Sequence, residues 1–233
     1  MKDGFVKAAA ASPVIKVADA EYNAQQVIKC MAAAREKGVK LLVFPELTLT
    51  GCFCYDLVGH RVLLEGAAAA LEKVVKASEG TDMLVLVGLP YAFGSRLLSC
   101  AAVVYDGELL ALIPRENVAG SRFADYPGEG ELVYVGALET ELCPGALFAH
   151  RSLNGLTVAV ELGADVTAAD SPTAYYAQSG ATVIAQMASF PATVSSTDDA
   201  LLAARYESKR FACGLVLAAP GKGESTTDNV CSG

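Results

Sequence analysis

Apolar positions in the first third of the chain follow two rhythms in turn. Leu41 to Phe44 and Met83 to Leu89 are unbroken apolar runs, the pattern of strands buried on both faces. Tyr22 to Arg35 instead repeats apolar residues at helical spacing (Val27, Met31, Ala34) and stops before Gly38. Val62 to Ala77 is a second helix, rich in Ala, Leu and Val, and Gly80 ends it. Gly4 to Ala10 alternates weakly and reads as a first strand. The order strand, helix, strand, helix, strand predicts parallel pairing through right-handed crossovers.

The rhythm then changes. Leu97 to Tyr105 and Glu108 to Ile113 flank Asp106-Gly107, a strong hairpin signal. A polar loop runs from Pro114 to Glu131. Leu132 to Val135 and Ala146 to His150 read as short strands, and Asn154-Gly155 turns into a strand from Leu156 to Leu162. Thr173 to Gln178 is a helix, Thr182 to Met187 a strand, Asp198 to Ala212 a helix with Glu207 and Arg210 placed to pair, and Leu215 to Ala219 a last strand. Gly221 to Asp228 is a turn leading to a short apolar pair. No fixed-period repeat and no low-complexity linker divides the sequence. Residues 1–233 therefore read as one α/β domain with two mixed sheets facing each other, each covered on its outer side by helices.

One carboxylate stands out in this frame. Pro45 cannot donate to a sheet ladder and stops the strand before it, so Glu46 lies just past a strand's carboxyl end, where parallel sheets gather ligands and chemistry. It is placed to be a general base, a solvated loop residue or a cap.

Composition narrows the alternatives. The formal net charge of -8 disfavours nucleic acid and anionic membranes as partners, which need a positive face. No apolar run reaches the length of a membrane span, and residues 1–15 do not form a signal peptide. Seven cysteines scattered through apolar segments fit free thiols in a reducing cytoplasm. Cys52-Phe-Cys54 has no second Cys/His pair at ligand spacing, so no metal site is expected. His60 and His150 stand alone, which leaves a Ser-His-Asp triad unsupported.

From Phe44-Pro-Glu-Leu-Thr-Leu-Thr-Gly51 onward the sequence resembles the nitrilase superfamily, specifically the glutaminase domain at the front of glutamine-dependent NAD synthetases. Met1 to Ala9, Lys37 to Leu47, Asp82 to Pro90, Cys100 to Val104 and Ser179 to Ile184 follow the family's order, and Gly223-Glu-Ser-Thr-Thr-Asp228 is the most distinctive match. The resemblance spans essentially the whole chain. It implies an α-β-β-α sandwich, copies packed into a homo-oligomer, and a fused or separate NAD synthetase domain beyond this one. ATP and deamido-NAD would belong to that other domain, so no cofactor is expected here, and glutamine is the ligand the old pocket suggests.

Members of this family cleave the glutamine amide with a Cys nucleophile, a Glu base and a Lys that steadies the oxyanion. The resemblance places these roles at Glu46, Arg115 and Gly163. Arg115 follows Ile113-Pro114 where the family has Lys. Gly163 follows Val160-Glu161-Leu162 where the family has Cys. Ala164 replaces a Glu, Gln186 replaces an Asn, Asp165 is retained, and the loop from Glu116 to Glu129 is shorter. Glu161, Asp165 and Gln186 are the expected binding positions.

Glycine carries no nucleophile, so acyl transfer at position 163 is excluded. Arg115 keeps the cation but presents a planar fork. The expectation is a catalytically inactive domain in which Glu46 is half of a buried ion pair. The alternatives are an altered amide hydrolase using Cys52, Cys54 or Cys143, or a sensor that holds a small carboxylate or amide on Arg115. Cys213 reads as core.

Overall fold

The computed structural model describes residues 5–163, 165, 168 and 170–231. Ala164, where the resemblance notes a lost Glu, lies outside the described residues. The elements run β1 (Ala8–Ala10), α1 (Ala20–Glu36), β2 (Leu41–Val43), α2 (Arg61–Ala77), β3 (Leu84–Phe93), β4 (Arg96–Tyr105), β5 (Glu108–Pro114), β6 (Glu131–Val135), β7 (Leu138–Leu142), β8 (Phe148–Ala149), β9 (Thr157–Leu162), α3 (Thr173–Gln178), β10 (Val183–Met187), α4 (Ser196–Phe211) and β11 (Gly214–Ala218). A single 3-10 turn at Tyr55–Gly59 precedes α2.

The strands form a seven-stranded sheet, ordered β1-β2-β3-β4-β5-β7-β6, and a four-stranded sheet, ordered β11-β10-β9-β8. Both are mixed. In the larger sheet β1, β2 and β3 are parallel, while β3, β4 and β5 are antiparallel. In the smaller, β9, β10 and β11 are parallel and β8 runs against β9. Side-chain alternation sends each sheet's residues to two compartments. Val85, Val87, Cys100, Ala102 and Val104 pack under α1 and α2. Leu86, Ala101, Val103, Val158, Val160, Ala185 and Met187 meet between the sheets. Ala159 and Ile184 pack outward against Tyr176 of α3. The result is the expected α-β-β-α layering.

Local chemistry sets the boundaries. Asp19 caps α1 by accepting from Tyr22 N–H at 3.0 Å, and the helix buries Ala20, Ala24, Val27, Met31 and Ala34. Asp106 and Gly107 both take positive φ, 46° and 81°, which lets the chain reverse in two residues between β4 and β5.

Three expectations need correction. Among the described residues the first strand is only Ala8–Ala10, in register with Leu41–Val43, and Gly4, where the expected strand began, lies outside them. The strand expected over Ala146–His150 shrinks to Phe148–Ala149. Strand β7 was not foreseen. It pairs antiparallel with β6 around a turn at Gly136-Ala137, with Thr140 and Leu142 buried and Glu139 and Glu141 exposed. Among the described residues no helix is long and apolar enough to cross a membrane.

Candidate functional site

The carboxyl ends of β2, β9 and β10 converge with the end of β5, and there the structure brings together Glu46, Arg115 and Gly163. After β2 the backbone crosses toward the smaller sheet, where Glu46 N–H donates to Ala188 O at 3.1 Å. The crossing passes directly over Gly88 of β3. A Cβ on Gly88 would lie 2.3 Å from Leu47 N and 2.9 Å from Glu46 C, so only glycine allows this approach. The turn closes on itself: Thr48 Oγ1 donates to Pro45 O at 2.6 Å and Gly51 N–H to Leu47 O at 2.7 Å. Buried Asn23 of α1 ties it to the helix layer, donating from Nδ2 to Leu49 O at 3.2 Å.

The C-terminal tail braces the same turn from outside. Cys52 N–H donates to Glu224 Oε2 at 2.7 Å. Tyr55 Oη pairs with Thr226 Oγ1 at 2.9 Å and accepts from Asn229 Nδ2 at 3.0 Å. Gly223, at φ +96°, lies so close to Ile15 that a Cβ would sit 1.9 Å from its carbonyl oxygen. This contact explains in physical terms why the Gly223–Asp228 stretch carries so specific a sequence.

The Glu46 carboxylate is 1 % exposed. Ser99 Oγ donates to its Oε1 at 2.5 Å, and Arg115 Nη1 lies 3.4 Å from the same oxygen. Burial raises the Glu46 pKa; Arg115 and the hydroxyls of Ser189 and Ser99 act against it. Ser99 was missed in the sequence, although it is the one polar residue in the run Leu97–Val104.

Arg115 follows β5, its N–H donating to Ser99 O at 2.9 Å. Its Nε donates to Asn117 O at 2.8 Å, and the side chain is 10 % exposed. The guanidinium rests on Gly163. A Cβ at 163 would lie 2.5 Å from Arg115 Cζ and 2.7 Å from both Nε and Nη1. Gly163 also takes φ +61°, a conformation costly to residues with a side chain. The place where a side chain at 163 would start is therefore filled by the fork of Arg115.

Asp165 clips this arrangement. Its Oδ1 accepts from Asn117 N–H at 3.1 Å and Asn117 Nδ2 at 3.0 Å, and its Oδ2 from Leu162 N–H at 3.0 Å. Both oxygens are thus spent on holding the Arg115 loop to the end of β9. Glu161 and Gln186 do not join the trio. Strand alternation turns them to the outer face of the smaller sheet, beneath α3 and α4.

No cysteine replaces the missing nucleophile at this point. Cys52 Sγ donates to the main-chain oxygen of Glu46 at 2.7 Å, not to its carboxylate. Burial, with Glu224 and Glu46 beside it, pushes the Cys52 thiol well above its ordinary value. Cys54 donates to Thr50 O at 2.9 Å, and burial raises its pKa as well. Cys143 is half-buried beyond β7, and burial raises it to about 11. Cys213 is buried in the core. A reactive cysteine needs the opposite shift. Among the described residues no three His, Cys, Asp or Glu side chains are grouped to hold a metal ion.

Comparison with known proteins places this geometry. The family model for carbon-nitrogen hydrolases matches residues 7–207. The glutamine-dependent NAD(+) synthetase of Mycobacterium leprae is 33% identical over 232 residues, 97% of this chain and 34% of that protein. The chain thus spans about a third of the length of such relatives. A glutamine-dependent NAD(+) synthetase from Cytophaga hutchinsonii superposes with a TM-score of 0.77 at 18% identity, covering 92% of this chain and 37% of that one. The amidase of Nesterenkonia sp. AN1, solved in a mutant form with acrylamide added at its active-site cysteine, superposes at 0.68 with 16% identity, covering 94% of this chain and 81% of that one. With two sheets layered as in these structures and a family match over most of its length, the chain belongs to the carbon-nitrogen hydrolase family of the nitrilase superfamily.

Proposed function

We propose that this chain is a glutaminase-type domain of the glutamine-dependent NAD synthetase kind that has given up thiol-mediated amide hydrolysis. One observation carries the reading. The Arg115 guanidinium lies 2.5 Å from the position that a Cβ at 163 would take, in the volume where a nucleophilic side chain would start. In this reading Glu46 has lost its task as base and survives as the buried partner of Arg115 and Ser99. Removing one member of such a pair typically costs about 3–5 kcal/mol, which is reason enough for both to persist. The domain then acts through its fold, packing in an oligomer with an NAD synthetase domain, fused or separate, that handles ATP and deamido-NAD and takes ammonia from elsewhere. Its place is in the cytoplasm.

The test is covalent trapping. Purified protein is incubated with an electrophilic glutamine analogue and its intact mass measured. The reading predicts no stoichiometric adduct. An adduct on Cys52, Cys54 or Cys143 that glutamine protects against would establish a relocated nucleophile and overturn it.

A further inference from the structure

The larger sheet ends on a strand with an open side. Among the described residues β6 is last in the strand order, paired with β7 on one edge and with no strand on the other. The loop Gly136-Ala137 makes Val135 and Leu138 the hydrogen-bonded pair that closes the hairpin. Alternation then turns the N–H and C=O groups of Val133 towards β7 and those of Leu132 and Tyr134 away from it. A hydroxyl meets this edge where a strand is absent: Tyr91 Oη donates to Tyr134 O at 3.3 Å, in keeping with the outward direction of that carbonyl.

Open edges are commonly guarded by Lys, Pro or a bulge. The strand Glu131-Leu-Val-Tyr-Val135 contains neither residue, and its register with β7 runs without a shift. It exposes two large apolar side chains instead, Leu132 at 63 % and Tyr134 at 59 %. Beside the edge, a groove of about 390 Å³ lies between β6, the end of β3 and α2, with Leu64, Ala68, Leu89 and Val135 among its apolar lining. The surroundings are acidic. Glu65 and Glu72 stand on the α2 wall, Glu139 and Glu141 on the exposed face of the hairpin, and Glu131 at the start of β6. Arg61 is the one basic residue of the groove lining, and it lies 3.6 Å from Glu65.

We propose that the free edge of β6 accepts a strand from a protein partner, an extended segment in which apolar residues alternate with basic ones. The outward main-chain groups of Leu132 and Tyr134 supply the ladder bonds, as in other cases of strand addition. The groove takes the apolar side chains on one face of the added strand. The carboxylates on the α2 wall and the hairpin attract the basic ones. A second copy of this chain fits less well. Antiparallel pairing of β6 with itself about Val133 sets Leu132 against Tyr134, but it also brings Glu131, Glu139 and Glu141 of both hairpins together, and like charges across strands repel.

The experiment uses the whole chain and a fluorescent peptide of alternating valine and lysine, about six residues long to match an ordinary strand, read by anisotropy. This peptide should bind saturably, and more weakly as salt rises. Replacing its lysines by glutamates, or methylating its backbone nitrogens with the lysines kept, should each weaken binding by about tenfold or more. On the protein side, Tyr134→Pro removes an outward N–H without taking a bond from β7, and should weaken binding likewise. Should that variant not fold, Leu132→Lys and Tyr134→Lys alter exposed side chains only and should each weaken binding with the denaturant midpoint near wild type. NMR of the wild-type protein should show the amides of Leu132 and Tyr134 protected by the lysine peptide. No saturation by about 1 mM peptide, equal affinity for the methylated peptide, or unchanged binding by both lysine variants would each overturn the proposal. A wild-type dimer in sedimentation that Leu132→Lys splits would overturn it in favour of a second copy. None of these readouts depends on whether amides are hydrolysed.

Discussion

If the guanidinium of Arg115 fills the space above Gly163, substitutions at the two positions must be coupled. Gly163→Ala adds a methyl 2.5 Å from Arg115 Cζ, on a residue held at φ +61°. The backbone part of the penalty is about 1–2 kcal/mol. The guanidinium is the end of a long side chain and can move, but only by giving up its bond to Asn117 O and its contact with buried Glu46. That adds about 1–3 kcal/mol, the usual range for overpacking. Gly163→Ala should therefore cost about 2–5 kcal/mol in the wild type. In an Arg115→Lys background a cation remains for Glu46 while the planar fork is gone, and the same substitution should cost only the backbone part. Urea denaturation of the four proteins closes the cycle, with an expected coupling of about 1–3 kcal/mol. Equal costs in both backgrounds, within about 0.5 kcal/mol, would refute the claim that Arg115 occupies this volume.

Gly88→Ala forces a methyl against the backbone of Glu46 and Leu47, which cannot swing aside as a side chain can. It should destabilise by about 3 kcal/mol or more, and a denaturant midpoint near wild type would show the crossing to be looser than described. Glu224→Ala leaves Cys52 N–H without its charged acceptor. It should cost about 1.5–3 kcal/mol and speed alkylation of Cys52, while an unchanged labelling rate would remove the tail from its bracing role. Glu161 gives a pH signature. The folded carboxyl keeps its proton up to about 8 and the unfolded one releases it near 4.5, so the folded state binds more protons in that window. This carboxyl should therefore make stability fall as pH rises from 4.5 to about 8, by up to about 1.36 kcal/mol per pH unit, and level off above. Glu161→Gln should flatten the profile measured by urea denaturation at several pH values, and an unchanged slope would assign it to other groups.

The framework was readable where periodicity was strong. The apolar runs at Leu41 and Met83, the helical spacing in α1 and the Asp106-Gly107 turn each have a single physical reading, and the two facing sheets follow from them. Strand β7 was missed although Leu138-Glu-Thr-Glu-Leu142 alternates cleanly, because two glutamates in five residues suggest a loop before they suggest an exposed edge. Glu207 was taken for a surface partner of Arg210. Its burial depends on which face of α4 meets the sheet, and a helix this polar does not reveal that face. Glu46, Arg115 and Gly163 were identifiable singly. The pairing of Arg115 with Glu46 was expected too, but the seating of the guanidinium against Gly163 was not, because it depends on side-chain reach across two sheets. Gly88, Asn23 and Glu224 support the site through backbone approaches and buried hydrogen bonds that leave no spacing pattern in a sequence.

The account rests on the absence of a competent nucleophile beside Glu46. Its most direct test is ammonia release from glutamine by the purified wild-type protein, measured against Glu46→Gln. The account predicts equal, background rates for the two. Turnover by the wild-type protein that Glu46→Gln abolishes would contradict it.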